Sequence, residues 1–322
     1  MTTPADHRPV VVYGANGFIG RNLCLRLGES GAEVIAVSRH FDEGFRRRLP
    51  ANVRCETADF ADTRALRALP GSRGAVHVML VSDSVPSTYM DEPSSEVTGN
   101  LLSHVRFFEG LEPDNRVVYL SSGGTVYGVP EAQTPITEDQ VATNPISAYG
   151  VTKLAIEKYL SYTARIRGFD YCVLRPSNPV GPWTRPDSAQ GIVSVLLESF
   201  LAGRQIHIWG DGSATRDYVD VRDLADAIVT VARAAALPNT VYNVGSGIGR
   251  SINDVIASVS AALEIAPDVL FEPGRLVDVP YNVLDASRLR RDTGWAPAIE
   301  FDNTIRDTWH FISNRHNVKD ML

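Results

Sequence analysis

The sequence predicts an α/β protein, a doubly wound parallel sheet with a smaller interleaved C-terminal region. Three observations predict it. Val10-Val11-Val12-Tyr13 is a β-branched run that stops on Gly14, as expected of a strand buried on both faces. The glycine turn Gly14-Ala-Asn-Gly17-Phe-Ile-Gly20 leads into Arg21–Leu27, which carries a helical apolar pattern at Leu23 and Leu27. Further short apolar runs then alternate with helix-length segments, the order that builds parallel strands joined by crossovers.

Bulk properties narrow the function. With 322 residues and a hydrophobic fraction of 44%, the chain can build one large or two modest cores. A formal net charge of −7 argues against nucleic acid or an anionic membrane as the main partner. No apolar run is long enough to span a bilayer, and the start Met1-Thr-Thr-Pro-Ala-Asp-His-Arg has no signal-peptide core. Cys24, Cys55 and Cys172 are odd in number, widely spaced and set among apolar neighbours. They read as core residues of a reducing compartment, with no metal site, so a soluble cytoplasmic protein is expected.

In order, Val10–Tyr13 is the first strand, the glycine turn opens a helix, and Glu33–Val37 is the second strand. Strand, glycine turn, helix and strand within about thirty residues is the context of a dinucleotide site. Gly14, Gly17 and Gly20 let the backbone turn tightly and approach a pyrophosphate, which lies on the helix N-terminus. An acidic residue usually follows the second strand of an NAD site, but this chain has Ser38-Arg39-His40. An arginine fork can pair with a 2′-phosphate, so NADP is slightly favoured over NAD, with a solvated Arg39 as the alternative.

Asn52–Thr57 and Gly74–Val81 read as strands three and four, and Asp59 either meets the adenine or caps a turn. Ser82–Pro93 is a polar loop, Glu96–Leu111 a helix and Arg116–Leu120 the fifth strand. That strand ends in Ser121-Ser122-Gly123-Gly124-Thr125-Val126-Tyr127-Gly128, whose hydroxyls either bond a sugar oxygen or satisfy their own turn. A helix entered through Asn144-Pro145 continues to about Arg167, and Tyr171–Arg175 is the sixth strand. Pro176, Pro179, Pro182 and Pro186 then punctuate a loop. Beyond it come a helix at Ile192–Ala202, a strand at Gln205–Trp209, a helix at Val221–Ala234 and a strand at Thr240–Val244. Helices near Ile252–Leu263, Ala286–Thr293 and Thr304–Asn314 complete the chain. The expected division is 8–178 for the dinucleotide half, with return segments near 217–246, and 179–322 for the substrate region.

Chemistry concentrates at Ser147-Ala148-Tyr149-Gly150-Val151-Thr152-Lys153. Tyr149 and Lys153 fall one helical turn apart on one face. A lysine cation beside a phenol favours the phenolate and lowers its pKa, which suits a general acid/base.

Taken together, these motifs resemble the extended short-chain dehydrogenase/reductases, in the nucleotide-sugar epimerase/dehydratase group that includes UDP-glucose 4-epimerase. The resemblance runs from Gly14 to about Trp309. It covers the glycine turn, SSGGTVYG, YGVTK, Arg175-Pro-Ser-Asn-Pro-Val-Gly-Pro182, Trp209-Gly-Asp-Gly-Ser-Ala-Thr-Arg-Asp-Tyr218, Tyr242-Asn-Val-Gly-Ser246 and Gly274-Arg-Leu-Val-Asp-Val-Pro280. It implies a dinucleotide-binding (Rossmann) half in which Asn16, Phe18, Ile19, Phe60 and Pro176 join the glycines, Ser38, Arg39 and Asp59 at the cofactor. It implies that Tyr149 exchanges a proton with the sugar O4 and that Lys153 holds the cofactor ribose. On the substrate side it implies Asn178 near the diphosphate, His207 and Trp209 at the nucleobase strand, and Tyr218 within the same motif. Arg216 and Arg275 would grip the diphosphate, and Asp278 would touch the nucleoside ribose. Asn282 falls where relatives limit a C2 N-acetyl group. A homodimer is implied through a four-helix bundle of Glu96–Leu111 and Tyr149–Arg167.

Two departures stand out. Gly123 occupies the position where related epimerases carry a hydroxyl against the sugar O4, leaving Ser122 or Thr125 to supply it. Ser38-Arg39 replaces the usual acidic residue. The leading expectation is an NAD(P)-dependent nucleotide-sugar 4-epimerase, UDP-hexose favoured. The alternative is an NADPH-dependent 4-ketohexose reductase of deoxysugar or polysaccharide synthesis. A 4,6-dehydratase fits less well because Gly123-Gly124 stand where its carboxylate would be, and a dinucleotide sensor has no use for Tyr149 and Lys153.

Overall fold

The computed structural model describes residues 6–84, 92–139, 142–184, 191–264, 266–274 and 279–319. Strand β1 (Val10–Tyr13) is wholly buried, as its unbroken apolar run requires. The glycine turn leads to α1 (Phe18–Glu29) and back to β2 (Val34–Ser38). Then come α2 (Glu43–Arg46), β3 (Val53–Thr57), α3 (Thr63–Arg67) and β4 (Val76–Met79). The two short helices start on Asp42 and Asp62, whose carboxylates accept the N–H groups of Phe45 and Ala65. Helix α4 (Pro93–Glu96) runs through a π-helical stretch at Val97–Leu101 into α5 (Leu102–Phe108). Strand β5 (Arg116–Leu120), helix α6 (Ala148–Arg167) and strand β6 (Asp170–Pro176) follow.

The rest of the chain contains β7 (Asn178–Val180), α7 (Ile192–Leu201), β8 (Ile206–Trp209), β9 (Thr215–Asp220), α8 (Val221–Arg233) and β10 (Val241–Val244). It ends with β11 (Gly249–Ser251), α9 (Ile252–Leu263), β12 (Val269–Glu272), β13 (Tyr281–Asn282), α10 (Ser287–Thr293) and α11 (Phe301–Lys319).

Seven parallel strands form the central sheet in the order β10-β6-β5-β4-β1-β2-β3. Strand order reverses between β1 and β4, which opens the ligand crevice at the carboxyl ends of those strands. One face packs on α1 and α8 through Leu23, Leu27, Leu224 and Ile228. The other packs on α5 and α6 through Phe107, Phe108, Ile156 and Leu160. Helices on both faces make the sheet doubly wound, as the sequence predicts.

A third cluster gathers Leu196, Leu197, Ile206, Ile208, Val255, Val259 and Ile305 beneath the smaller sheets. Strand β9 is central there, paired with β7, β11 and β13, while β8 pairs with β12. The sequence reading passed over β9 because its apolar alternation is broken by two buried acids. Asp217 is wholly buried and accepts the N–H groups of Ser246, Gly247 and Leu284 and the Ser246 hydroxyl. Burial pushes its pKa up, against those four hydrogen bonds. Asp217 therefore joins the segment after β10 to the small sheet. The helix expected at Glu96–Leu111 begins three residues earlier, at Pro93, and ends at Phe108.

Candidate active site

The glycine turn forms one wall of a groove at the β1–β4 switch. Gly14 has φ +85°, and a Cβ on Gly20 would lie 2.2 Å from the Gly14 carbonyl oxygen. That contact admits only glycine and keeps the N-terminus of α1 tight against the turn. The helix is entered through Gly17 with no side-chain cap, so its first-turn N–H groups are available to an anion. Gly14, Asn16, Gly17, Ser38, Arg39, Asp59 and Phe60 line this groove together with Leu80, Val81, Ser82 and Asp83. A dinucleotide fits such a cradle. Phe18, Ile19 and Gly20 open α1, while Pro176 ends β6 with its carbonyl accepting the Gly123 N–H at 2.9 Å. Asp59 uses one oxygen to accept the Ala61 N–H at 2.9 Å, so it caps its own turn as well as facing the groove. Arg39 lies 3.3 Å from Asp83 in an ion pair.

Helix α6 brings Tyr149 and Lys153 to the same crevice. Ser147 caps it, its hydroxyl accepting the Gly150 N–H at 3.1 Å. A Cβ on Gly150 would meet the Thr125 carbonyl at 2.9 Å, so glycine lets the helix start press against the strand-end loop. Lys153 is buried; its Nζ donates to the Leu120 carbonyl at 3.1 Å and sits 5.5 Å from the Tyr149 ring centroid and 5.2 Å from that of Tyr119.

The expected lowering of the Tyr149 pKa is not the net result. Burial pushes the phenol up, and the Glu96 carboxylate adds to it. Burial also pushes Lys153 down, to about 8, while Glu96 and Glu157 hold it up. Burial thus opposes the phenolate at Tyr149 and the ammonium at Lys153 alike. Sequence reasoning missed Glu96 and Asn100, which border the pair. Glu96 accepts from Asn100 Nδ2 at 3.0 Å with one oxygen, and its other oxygen has no protein partner. The available signal was three polar residues, Glu96, Asn100 and His104, spaced four apart and buried in one helical run.

At the end of β5, the Ser122 carbonyl accepts the N–H groups of Thr125 and Val126. The Thr125 hydroxyl is buried with no protein partner. Ser121 belongs to a different network: it donates to Glu157 at 2.5 Å, and Arg175 grips the same carboxylate at 3.0 and 2.6 Å. Arg175 also donates to the Tyr127 hydroxyl, which in turn donates to Asn243. These buried groups tie β5, β6, β10 and α6 together around the site.

The small β9 sheet faces this end of the crevice. Asn178 donates to the Asp217 carbonyl at 2.9 Å. Arg216 stands in register with Asn282, and Asn282 donates to the Gly123 carbonyl at 3.1 Å. That bond holds the sheet carrying Arg216 against the strand end. His207 and Trp209 lie on the exposed side of β8, with His207 3.0 Å from Glu272. Tyr218 departs from expectation: it is buried in the third cluster with its ring 5.5 Å from Phe301, so it packs the core. Arg275 and Asp278 lie outside the described residues. Among the described residues no cluster of His, Cys, Asp or Glu is placed to hold a metal ion.

Comparison with known proteins agrees with this geometry. The sequence model of the NAD-dependent epimerase/dehydratase family matches residues 10–245. The UDP-glucose 4-epimerase of Mycolicibacterium smegmatis is 33% identical over 312 residues, covering 95% of this chain and 98% of that protein. The UDP-glucose 4-epimerase of Thermotoga maritima, solved with UDP-glucose, superposes with a TM-score of 0.85 at 26% identity, covering 96% and 99% of the two chains. That of Thermus thermophilus, solved with NAD, superposes with a TM-score of 0.82 at 29% identity, covering 95% and 99%.

Proposed function

The chain belongs to the NAD-dependent epimerase/dehydratase family, and from that premise we propose that it is a UDP-hexose 4-epimerase using NAD. One observation carries the reading: Tyr149 and Lys153 lie a turn apart on α6, in a pocket that shares Val81 and Ser82 with the glycine groove. When bound, the nicotinamide supplies a hydride acceptor and donor at the sugar C4 and, when oxidised, a positive charge that favours the phenolate. As the phenolate that this charge and Lys153 favour, Tyr149 takes the proton from the sugar O4 as the 4-keto sugar forms and returns it after the ring has turned. Lys153, anchored on the Leu120 carbonyl, holds the cofactor ribose and stays charged. Thr125, with its unpartnered hydroxyl, is the side chain we assign to the O4 in place of the absent hydroxyl at Gly123. Arg216, with Arg275, holds the diphosphate; Asn178 stands beside it; the strand carrying His207 and Trp209 reads the base. Residues 8–178, with return segments near 217–246, would form the cofactor half and 179–322 the substrate region.

The lean of Ser38-Arg39 towards NADP is weighed against the ion pair that occupies Arg39, which supports NAD. Three free cysteines suit a reducing cytoplasm, and among the described residues no helix is long and apolar enough to cross a membrane. A homodimer is supported by apolar side chains on the outer sides of the helices at 93–108 and α6, including Leu102, Tyr159, Tyr162 and Ile166. Light scattering should return twice 35.1 kDa; a monomer at micromolar concentration removes that part.

The test of function is direct. Purified protein with UDP-glucose and NAD, without reductant, should interconvert the C4 epimers. NADPH consumption with a 4-keto sugar and no interconversion would establish the reductase instead. Tyr149→Phe should lower turnover by about 10²–10⁴-fold with NAD binding near wild type. Full activity in that variant defeats the mechanism.

A further inference from the structure

The end of β2 lacks the carboxylate that an NAD site places on the adenosine ribose, yet a carboxylate reaches the same corner from another strand. Asp83 follows β4, lines the groove with Ser38 and Arg39, and lies 3.3 Å from the Arg39 guanidinium. Its backbone is fixed: the Asp83 N–H donates to Asn100 Oδ1 at 2.9 Å. Asn100 is itself buried and also donates to Ser84 Oγ and Glu96 Oε2, both at 3.0 Å. Asn100 belongs to the π-helical stretch Val97–Leu101, a local rearrangement that often marks functional positions. The start of the loop after β4 is thus tied to a buried side chain, which fixes the backbone of Asp83 beside Arg39.

We propose that Asp83 is the residue by which this chain selects NAD over NADP, acting both as a carboxylate for the adenosine ribose and by engaging Arg39. The inference rests on the NAD reading above. A ribose 2′-hydroxyl can donate to a carboxylate, whereas a 2′-phosphate meets its charge and finds the guanidinium fork already taken. The groove reinforces this: its lining carboxylates Asp59 and Asp83 are opposed by Arg39. Arg39 and Asp83 are both partly exposed, so their pair adds little to stability. Its effect is on which ligand the corner accepts. The sequence signal in Arg39 was real but incomplete, because an arginine selects a phosphate only when nothing else holds it.

The experiment is calorimetric titration of NAD and NADP into the full chain as wild type, Asp83→Asn, and Asp83→Asn with Arg39→Ala. Wild type should prefer NAD. Asp83→Asn, which keeps the shape and removes the charge, should tighten NADP by about tenfold and weaken NAD by a few-fold. Arg39→Ala in that background should abolish the NADP gain, since the freed guanidinium is its source. A preference for NAD in wild type with an unchanged NAD-to-NADP ratio in Asp83→Asn overturns the role of Asp83 alone. So does an NADP gain that survives the loss of Arg39. Tighter binding of NADP than NAD by wild type overturns the NAD reading itself.

Discussion

Replacing Glu157 with glutamine tests whether the site is held by the ionic network beneath it. Glu157 and Arg175 side chains are 4% and 5% exposed, and their pair is bidentate at 2.6 and 3.0 Å. Glutamine preserves the volume but presents an amide to a buried guanidinium, and one arm of that amide is a donor facing donors. Removing one partner of a buried pair costs about 3–5 kcal/mol, because the remaining charge is left uncompensated. For 322 residues, at about 2.1 cal/mol/K of unfolding entropy per residue, each kcal/mol moves the melting midpoint by about 1.5 °C, so Glu157→Gln should melt about 4–8 °C below wild type. Circular dichroism melts at one pH and one protein concentration measure this. The paired replacement Glu157→Leu with Arg175→Met removes both charges and should recover most of the loss. A Glu157→Gln midpoint within about 2 °C of wild type would refute the reasoning, since no uncompensated charge would then exist.

Two further outcomes are expected. Thr125→Val keeps the side-chain shape and deletes the buried hydroxyl, so kcat should fall by about ten- to a hundredfold with KM little changed; an unchanged kcat in steady-state assays moves the O4 contact to Ser122 or leaves it to Tyr149 alone. Burial pushes both His77 and His104 down to about 3, so each is neutral in the folded chain but takes up a proton on unfolding below about 6.5. The unfolded chain then binds more protons, so this stability is full above about pH 6.5 and is lost as pH falls towards 3, by about 1.4 kcal/mol per pH unit for each histidine. Urea unfolding at pH 7.5, 6 and 5 should show the decline, and a flat profile between 6 and 5 excludes it.

The parts of this protein legible in the sequence are those in which local pattern and tertiary role coincide. Strand β1 is buried on both faces and reads as an unbroken apolar run, and the turn after it is marked by Gly14, at positive φ, and Gly20, where a Cβ would strike the Gly14 carbonyl. The same holds for the helical spacing of Tyr149 and Lys153. Strand β9 was illegible because Asp217 and Asp220 are buried acids whose partners come from Ser246, Leu284, Arg222 and Thr304, far off or across a turn. Burial of a carboxylate follows only from the groups that surround it. Arg39 was legible as a cation, but its partner lies in the loop after β4, a strand two places away in the sheet. Tyr218 was misplaced for the opposite reason: a motif fixes its position in the chain, while Phe301 fixes what its ring does.

Gly123 brings these two kinds of information together. A Cβ there would lie 2.5 Å from Leu284 Cδ1 and 2.9 Å from the Arg175 carbonyl oxygen. Leu284 is wholly buried among Val126, Tyr127 and Ile136 and fills the space a side chain at 123 would enter. The Arg175 carbonyl belongs to β6 and cannot yield without the central sheet moving. Both peptide groups of Gly123 are also engaged, the N–H by Pro176 and the carbonyl by Asn282. Packing against Leu284 and the β6 backbone therefore leaves no room for a side chain at 123. Under that constraint a hydroxyl for the sugar must come from a neighbour. A buried hydroxyl without a partner costs about 1–3 kcal/mol, which makes Thr125 costly to retain for folding alone. Contact with a ligand oxygen would offset that cost and account for its place beside Gly150, at the start of the helix that carries Tyr149.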